Sequence, residues 1–206
     1  MKSQINRRDR TRWAILDALA AVIAETGGLG FSVQQVAERA GVTHRTVYNH
    51  FPTRDALNDA LAAHVEEVMA RDGLRELPAA SSASLVPMIT YAYAAFQSHE
   101  VLSRAYVMLM LASRRPARVS RRRTSAFEAV IARDTSPPAP LTSRGLTAAV
   151  RMFLSTTGWH ILTEQMRLSP AEAATTATWA AQTLLDAASR PASVAARKIR
   201  KRRGSR

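Results

Sequence analysis

The stretch Ser32-Val-Gln-Gln-Val-Ala-Glu-Arg-Ala-Gly-Val-Thr-His-Arg-Thr-Val-Tyr-Asn-His-Phe51 decides the fold. Ser32 followed by Gln35 is a capping-box pattern, in which the hydroxyl takes the N3 amide and the glutamine returns to the cap amide. It opens a short helix predicted over Val33 to Ala40. Gly41 breaks that helix, because a residue without Cβ reverses the chain at positive φ with little steric cost. Thr43 caps a second short helix, His44 to His50, which ends before Pro52 because the residue preceding proline is pushed out of the α region. Two short helices joined by a tight glycine turn are a helix-turn-helix. Val36, Ala37, Val42, Val47 and Phe51 are its expected core, with Thr43, His44, Arg45, Thr46, Tyr48, Asn49 and His50 left as polar surface. That surface suits base edges: Arg forks onto guanine O6 and N7, Asn onto adenine N6 and N7, and a Thr methyl touches thymine.

Working outward, apolar residues recur at helical spacing and period-2 alternation never persists, so the chain reads as all-α. A first helix runs from about Arg8 to Thr26 with Ile15, Leu19, Val22 and Ile23 as its stripe, and Gly27, Gly28 and Gly30 stop it. Thr53 caps a fourth helix with Asp55 in its first turn and Leu57, Leu61, Val65 and Val68 along one side; Asp72-Gly73 ends it. Further helices are expected near 84–98, 100–114, 117–133, 141–168 and 170–189. The prolines of Asp134 to Pro140 break the run, and Ser169-Pro170-Ala171-Glu172 combines a cap, proline at the first helical position and a capping-box glutamate. A single helix over 141–168 would be about 40 Å long at ~1.5 Å per residue.

The chain has 206 residues, 47% of them hydrophobic, enough for a buried core. It has no cysteine, which excludes disulfides, thiolate metal sites and a cysteine nucleophile. Lys2, Arg7, Arg8, Asp9, Arg10 and Arg12 stand where a secretory signal would need an apolar segment, and no apolar run approaches the ~18 residues that span a bilayer, so a cytoplasmic protein away from membranes is expected. The net charge of +13 calls for a polyanionic partner. It divides as +3 over residues 1–55, +2 over 56–189 and +8 over 190–206. Within the middle segment Arg114, Arg115, Arg118, Arg121, Arg122 and Arg123 cluster. The last 17 residues offer almost nothing to bury and are expected to be a disordered basic tail, either solvated or capturing DNA nonspecifically. No phosphate loop, nucleophile elbow or histidine–carboxylate motif argues for an enzyme, and no cofactor or metal is expected.

Arg12 with Ile15-Leu16-Asp17-Ala18, then Gly28, Phe31-Ser32-Val33, Val36-Ala37, Ala40-Gly41-Val42-Thr43, Val47-Tyr48-Asn49-His50-Phe51 and Thr53-Arg54-Asp55-Ala56-Leu57 are similar to the N-terminal signature of TetR-family transcriptional regulators. The resemblance covers roughly residues 10 to 61. It implies a dimeric, all-helical repressor whose three N-terminal helices bind a double-stranded operator and whose C-terminal domain binds a small-molecule effector. Carried over by position, His44, Arg45, Thr46 and Asn49 are expected at bases, and Ser32, Thr43, Tyr48, His50 and Arg54 at phosphates. The family commonly has lysine where this chain has Arg54, which keeps the charge and changes the donor geometry. Taken without the signature, Tyr48 reads equally as a packed aromatic and His50 as a surface residue. The arm Lys2 to Arg12 either follows the minor groove or is solvated.

The expected division is a DNA-binding domain over 1–52, an effector-binding and dimerisation domain over 53–189 and the tail over 190–206. Aromatic and methionine residues between His64 and His160 read individually as core, and together as the lining of an adaptable, partly apolar pocket. Tyr91, Tyr106, Met110, Phe153 and Trp159 are the expected ligand contacts. His64 with Glu66 and Glu67 reads as a solvated acidic face. The homodimer is expected through the helices near 141–168 and 170–189, where the small residues of Ala171 to Ala181 permit close approach and Leu154, Leu162, Trp179, Leu184 and Leu185 supply apolar area. The rival reading is an architectural protein that coats nucleic acid through the tail and Arg114 to Arg123; a footprint over one short palindrome separates the two.

Overall fold

The computed structural model describes residues 6–74, 81–112 and 118–189, and side chains throughout these except 118–123. Ten α-helices are described: α1 Arg7–Thr26, α2 Val33–Arg39, α3 His44–His50, α4 Arg54–Met69, α5 Leu85–Ser98, α6 Glu100–Ala112, α7 Arg118–Asp134, α8 Ser143–Phe153, α9 Thr156–His160 and α10 Pro170–Ser189. The described residues contain no strand, and none of their helices is long and apolar enough to cross a membrane. The tail from 190, Lys2, Arg114 and Arg115 lie outside the described residues, as do the side chains of Arg118 and Arg121 to Arg123.

The chain forms two compact units, and the boundary falls inside α5, between Ala94 and Ala95. The first unit joins α1–α4 to the end of α5 and α6. The second joins the start of α5 to α7–α10. These units cut the chain elsewhere than the functional division drawn at 52/53.

In the first unit α1 is central. Its expected stripe of Ile15, Leu19, Val22 and Ile23 is buried, and so are Leu16, Ala18 and Ala20, because α2, α4 and α6 all pack on it. Burial on more than one side is why a one-sided stripe describes this helix poorly. On α4, Leu57, Ala60, Leu61, Val65 and Met69 are buried, whereas Val68 is only half-buried. The chain leaves α4 through a wide turn, Ala70–Leu74, in which Gly73 takes φ +83°. Polar side chains fasten α4 to its neighbours. His64 Nε2 lies 3.1 Å from Asp17 Oδ1 on α1, and the Tyr106 hydroxyl of α6 donates to Glu66 Oε1 at 3.1 Å. His99 Nε2 lies 2.7 Å from Asp72 Oδ2 in the turn. His64 and Glu66 therefore serve the packing of α4 and not a solvated acidic face.

In the second unit α7 packs on α8, and α10 on α8 and α9. The buried side of α10 is Ala173, Ala177, Ala181, Leu185 and Ala188, a narrow seam of small residues that lets helix axes approach. Asp134 ends α7 and accepts from the Ser82 amide at 2.7 Å. Its carboxyl is pulled down to about 2, first by the hydrogen bond from Arg133 and then by that amide.

The expected single helix over 141–168 is not formed. It is broken into α8 and α9, and α9 runs on into a wider-wound turn, Ile161–Gln165. The break is local chemistry: Ser155 stands extended as a new N-cap, its Oγ accepting from the Gly158 amide at 2.9 Å and donating to the Met152 carbonyl at 2.8 Å. The kink presses Gly158 against the end of α8, and a Cβ there would fall on the Met152 carbonyl oxygen. Trp159, the next residue, is 1% exposed and anchors α9.

Gly158→Ala is therefore expected to destabilise the protein by about 2 kcal/mol, the size of an overpacked core site. In a thermal melt followed by circular dichroism that is a fall of roughly 4–8 °C. Gly145→Ala is the contrast: its Cβ meets only the Leu141 Cδ1 tip at 2.9 Å, which a rotamer change relieves, so its midpoint holds or rises. Equal midpoints for both variants would show that the close approach at Gly158 imposes no constraint.

Candidate nucleic-acid interface

The first unit builds its exposed recognition surface from local hydrogen bonds. At the head of α2, Ser32 Oγ accepts from the Gln35 amide at 3.1 Å while the Ser32 amide donates to Gln35 Oε1 at 2.8 Å, closing the capping box. Gly41 takes φ +64°, and the turn is closed by the Gly41 amide on the Glu38 carbonyl at 3.1 Å and the Val42 amide on the Ala37 carbonyl at 3.0 Å. Thr43 then caps α3, its Oγ1 accepting from the Thr46 amide at 3.1 Å.

The seven residues of α3 bury only Val47. Phe51, which follows, is 2% exposed and belongs to the core with Phe31, Val33, Val36 and Ala37. A helix held by one buried side chain and a buried C-cap residue presents the rest of its circumference outward. Arg45 and Asn49 lie one turn apart on the same side, exposed, and among the described residues neither side chain has an intramolecular partner. His44 and Tyr48 form the neighbouring row, their rings edge to face with centroids 4.7 Å apart, and Tyr48 is 41% exposed.

The other expected DNA contacts are already committed within the fold. Ser32 and Thr43 are caps, and the Thr46 hydroxyl shares a hydrogen bond with that of Thr43 at 2.8 Å. Each hydroxyl keeps capacity for at least one more partner. Arg54 donates to the Leu29 carbonyl at 2.8 Å and lies 4.4 Å above the Phe31 ring, so it pins the start of α4 to the loop before α2. Its planar fork meets a carbonyl and a ring face together, which a lysine cannot do.

Two basic side chains of the stretch expected as an N-terminal arm join the surface from α1. Arg12 lies 4.6 Å above the Phe51 ring, and Arg8 stands one turn before it. His50 is half-buried with its ring 6.1 Å from that of Phe51, and its imidazole is held below the ordinary value, by burial first and then by Arg8 and Arg12. Arg7 to Arg12 belong to α1, in keeping with the helix expected from about Arg8, so this part of the Lys2 to Arg12 arm is helical. The signal available in the sequence was the i, i+4 spacing of Arg8 and Arg12 with Asn6 as a cap, whose side chain accepts from the Asp9 amide at 2.8 Å.

The residues expected to line a ligand pocket are divided between the units. Tyr106 and Met110 are half-buried on α6 of the first, where Tyr106 is bonded to Glu66. In the second unit Tyr91 is 49% exposed, Phe153 half-buried and Trp159 fully enclosed. Tyr93, one of the aromatic residues between His64 and His160 but not one of the five expected contacts, is buried beside Gly158, and burial pushes its hydroxyl well above the usual tyrosine range.

The sequence profile of the family described as "Bacterial regulatory proteins, tetR family" matches residues 15–61, which hold most of α1, all of α2 and α3 and the first half of α4. The chain is 44% identical over 63 residues to the HTH-type transcriptional repressor LfrR of Mycolicibacterium smegmatis, a match covering 30% of this chain and 31% of that protein. It thus spans about a third of the length of the curated relatives it matches. A TetR-family transcriptional regulator from Rhodococcus sp. shares the fold at TM-score 0.67 and 20% identity, over 85% of this chain and 99% of that one. NalD, the secondary repressor of the MexAB-OprM multidrug efflux pump in Pseudomonas aeruginosa, shares it at TM-score 0.56 and 22% identity, over 91% of this chain and 100% of that one.

Proposed function

We propose that this chain, whose residues 15–61 match the tetR family of bacterial regulatory proteins, is a transcriptional repressor whose α3 reads a palindromic operator until a small molecule releases it. The observation that carries the reading is the outward row of Arg45 and Asn49, a guanidinium and a carboxamide that make no side-chain hydrogen bond or ion pair among the described residues. Those two groups make the two-pronged contacts that distinguish guanine and adenine in the major groove. His44, Thr46 and Tyr48 flank them for further base and phosphate contacts, with Ser32, Thr43, His50 and Arg54 at the backbone.

A palindrome is read by a two-fold dimer. For the dimer contact we assign α8, α9 and α10, because the outer side of α10 carries Trp179 at 69% exposure. The threonines beside it turn their hydroxyls to their own helix: Thr175 Oγ1 donates to the Ala171 carbonyl and Thr183 Oγ1 to the Trp179 carbonyl, each at 2.8 Å. The side of α10 left outward is therefore more apolar than its composition suggests.

The effector is assigned to the second unit, where the expected contacts Tyr91, Phe153 and Trp159 lie; Tyr106 and Met110 belong to the first. A small molecule weakens operator binding only by preferring a state in which α3 is displaced. Helix α4 is the lever, because Arg54 holds its start to the loop before α2 while Glu66 and Asp72 bind α6 and His99 near its end.

Selection from a random-sequence duplex pool, followed by footprinting, tests the reading. A single short palindrome is the expected product. Sequence-independent coating would overturn the operator reading, and unchanged operator affinity across a library of apolar and amphipathic compounds would overturn the effector reading.

A further inference from the structure

Resting on the DNA-binding reading, we propose that Arg8, Arg12 and His50 form a seat for one backbone phosphate, and that His50 takes up a proton as the phosphate enters. DNA binding by this protein is then linked to pH through a single side chain.

The seat is a local excess of positive charge held in place by packing. Arg8 and Arg12 lie one turn apart on α1, and among the described residues neither has a carboxylate partner. Arg12 is fixed over the Phe51 ring, against which His50 also lies. The first two turns of α1 carry Arg7, Arg8, Arg10 and Arg12 against the single acid Asp9. Positive charge at a helix N-terminus opposes the helix dipole, so an anion set here would relieve that opposition.

His50 senses that field. Burial and the two guanidiniums favour its neutral form in the free protein. Of the other charged groups near α3, Glu38 accepts from Gln34 and Arg39 pairs with Glu25 on the α2 side, Arg54 of α4 is held by Leu29 and Phe31, and Asp55 stands exposed in the first turn of α4. On α3 itself His44 faces Tyr48, and Arg45 points outward without a carboxylate. Burial, Arg8 and Arg12 are the influences found on His50, and no acid is among them. A phosphate diester set among them brings one negative charge, reverses the sign of the local field and offers an acceptor to the second imidazole N–H. Both effects favour the imidazolium, and the proton comes from solvent.

The sign of the linkage follows. The free protein binds the proton only at pH below His50's lowered value, and the complex binds it up to a higher pH. Between those two values association consumes a proton, so affinity falls as pH rises, by at most about tenfold per pH unit for each protomer.

The test uses the full chain and a short duplex that the wild type recovers from a random-sequence pool at about pH 6, within the window in which histidine titrates. Wild-type affinity is expected to fall steadily towards about pH 8, and calorimetry in two buffers of unlike ionisation enthalpy is expected to register proton uptake. His50→Gln, which keeps a neutral donor, is expected to bind with little pH dependence. A flat wild-type profile, or an undiminished slope in His50→Gln, overturns the proton-linked seat and leaves DNA recognition standing. Failure of the wild type to recover any duplex overturns both.

Discussion

Arg45→Ala is expected to weaken operator binding by about 4 kcal/mol, taking ~2 kcal/mol for a lost two-pronged base contact in each of two half-sites. That is close to a thousandfold in affinity. Arg45 is exposed and its side chain makes no hydrogen bond or ion pair among the described residues, so the variant is expected to fold and melt as the wild type does. The loss is also selective. Removing a base contact relaxes preference at one operator position and lowers specific binding far more than nonspecific binding, whereas removing a phosphate contact lowers both together. Gel-shift titrations against the selected duplex and against mixed-sequence DNA separate the two. Equal weakening on both would assign Arg45 to the backbone; no weakening on either would remove α3 from the interface. Asn49→Ala, one turn along the same row, is expected to relax a second position in the same way.

Trp179→Arg is expected to split the dimer. An aromatic buried at a two-fold interface counts twice, and truncating a central tryptophan typically costs at least ~2 kcal/mol per copy, so the dimer constant weakens by about a thousandfold. Arginine adds the opposition of two like charges brought together across the axis. Because Trp179 is on the exposed side of α10, opposite the alanine seam, the protomer keeps its helical signal. Sedimentation is expected to show a monomer at concentrations where the wild type is a dimer, and operator affinity falls with it because each half-site alone holds the protein weakly. An unchanged sedimentation coefficient would move the dimer contact away from this side of α10.

Much of the first unit was legible from residues 32 to 57, because its decisive interactions span three or four positions. The Ser32–Gln35 capping box, the positive φ of Gly41 and the caps at Thr43 and Thr53 were all expected, and each is found. The core positions Val36, Ala37, Val47 and Phe51 were equally readable from periodicity. The break at Ser155 was written in the same kind of signal, a cap residue followed by a glycine at the third helical position, but continuous apolar spacing from 141 to 168 hid it. Helical period alone cannot separate one long helix from two short ones that keep the same side buried.

What the sequence by itself determined is therefore the all-helical class, the helix-turn-helix and the identity of the side chains α3 carries. The physical reason is that caps, glycine turns and apolar spacing act between near neighbours in the chain. Tertiary structure alone decided which of those side chains remain available. It committed Arg54 to Leu29 and Phe31, set Tyr106 on Glu66, placed α6 in the N-terminal unit, and brought Arg8 and Arg12 of α1 to His50 of α3. Those pairings join residues 23 to 42 positions apart, whose meeting depends on how whole helices pack, and no local pattern encodes it.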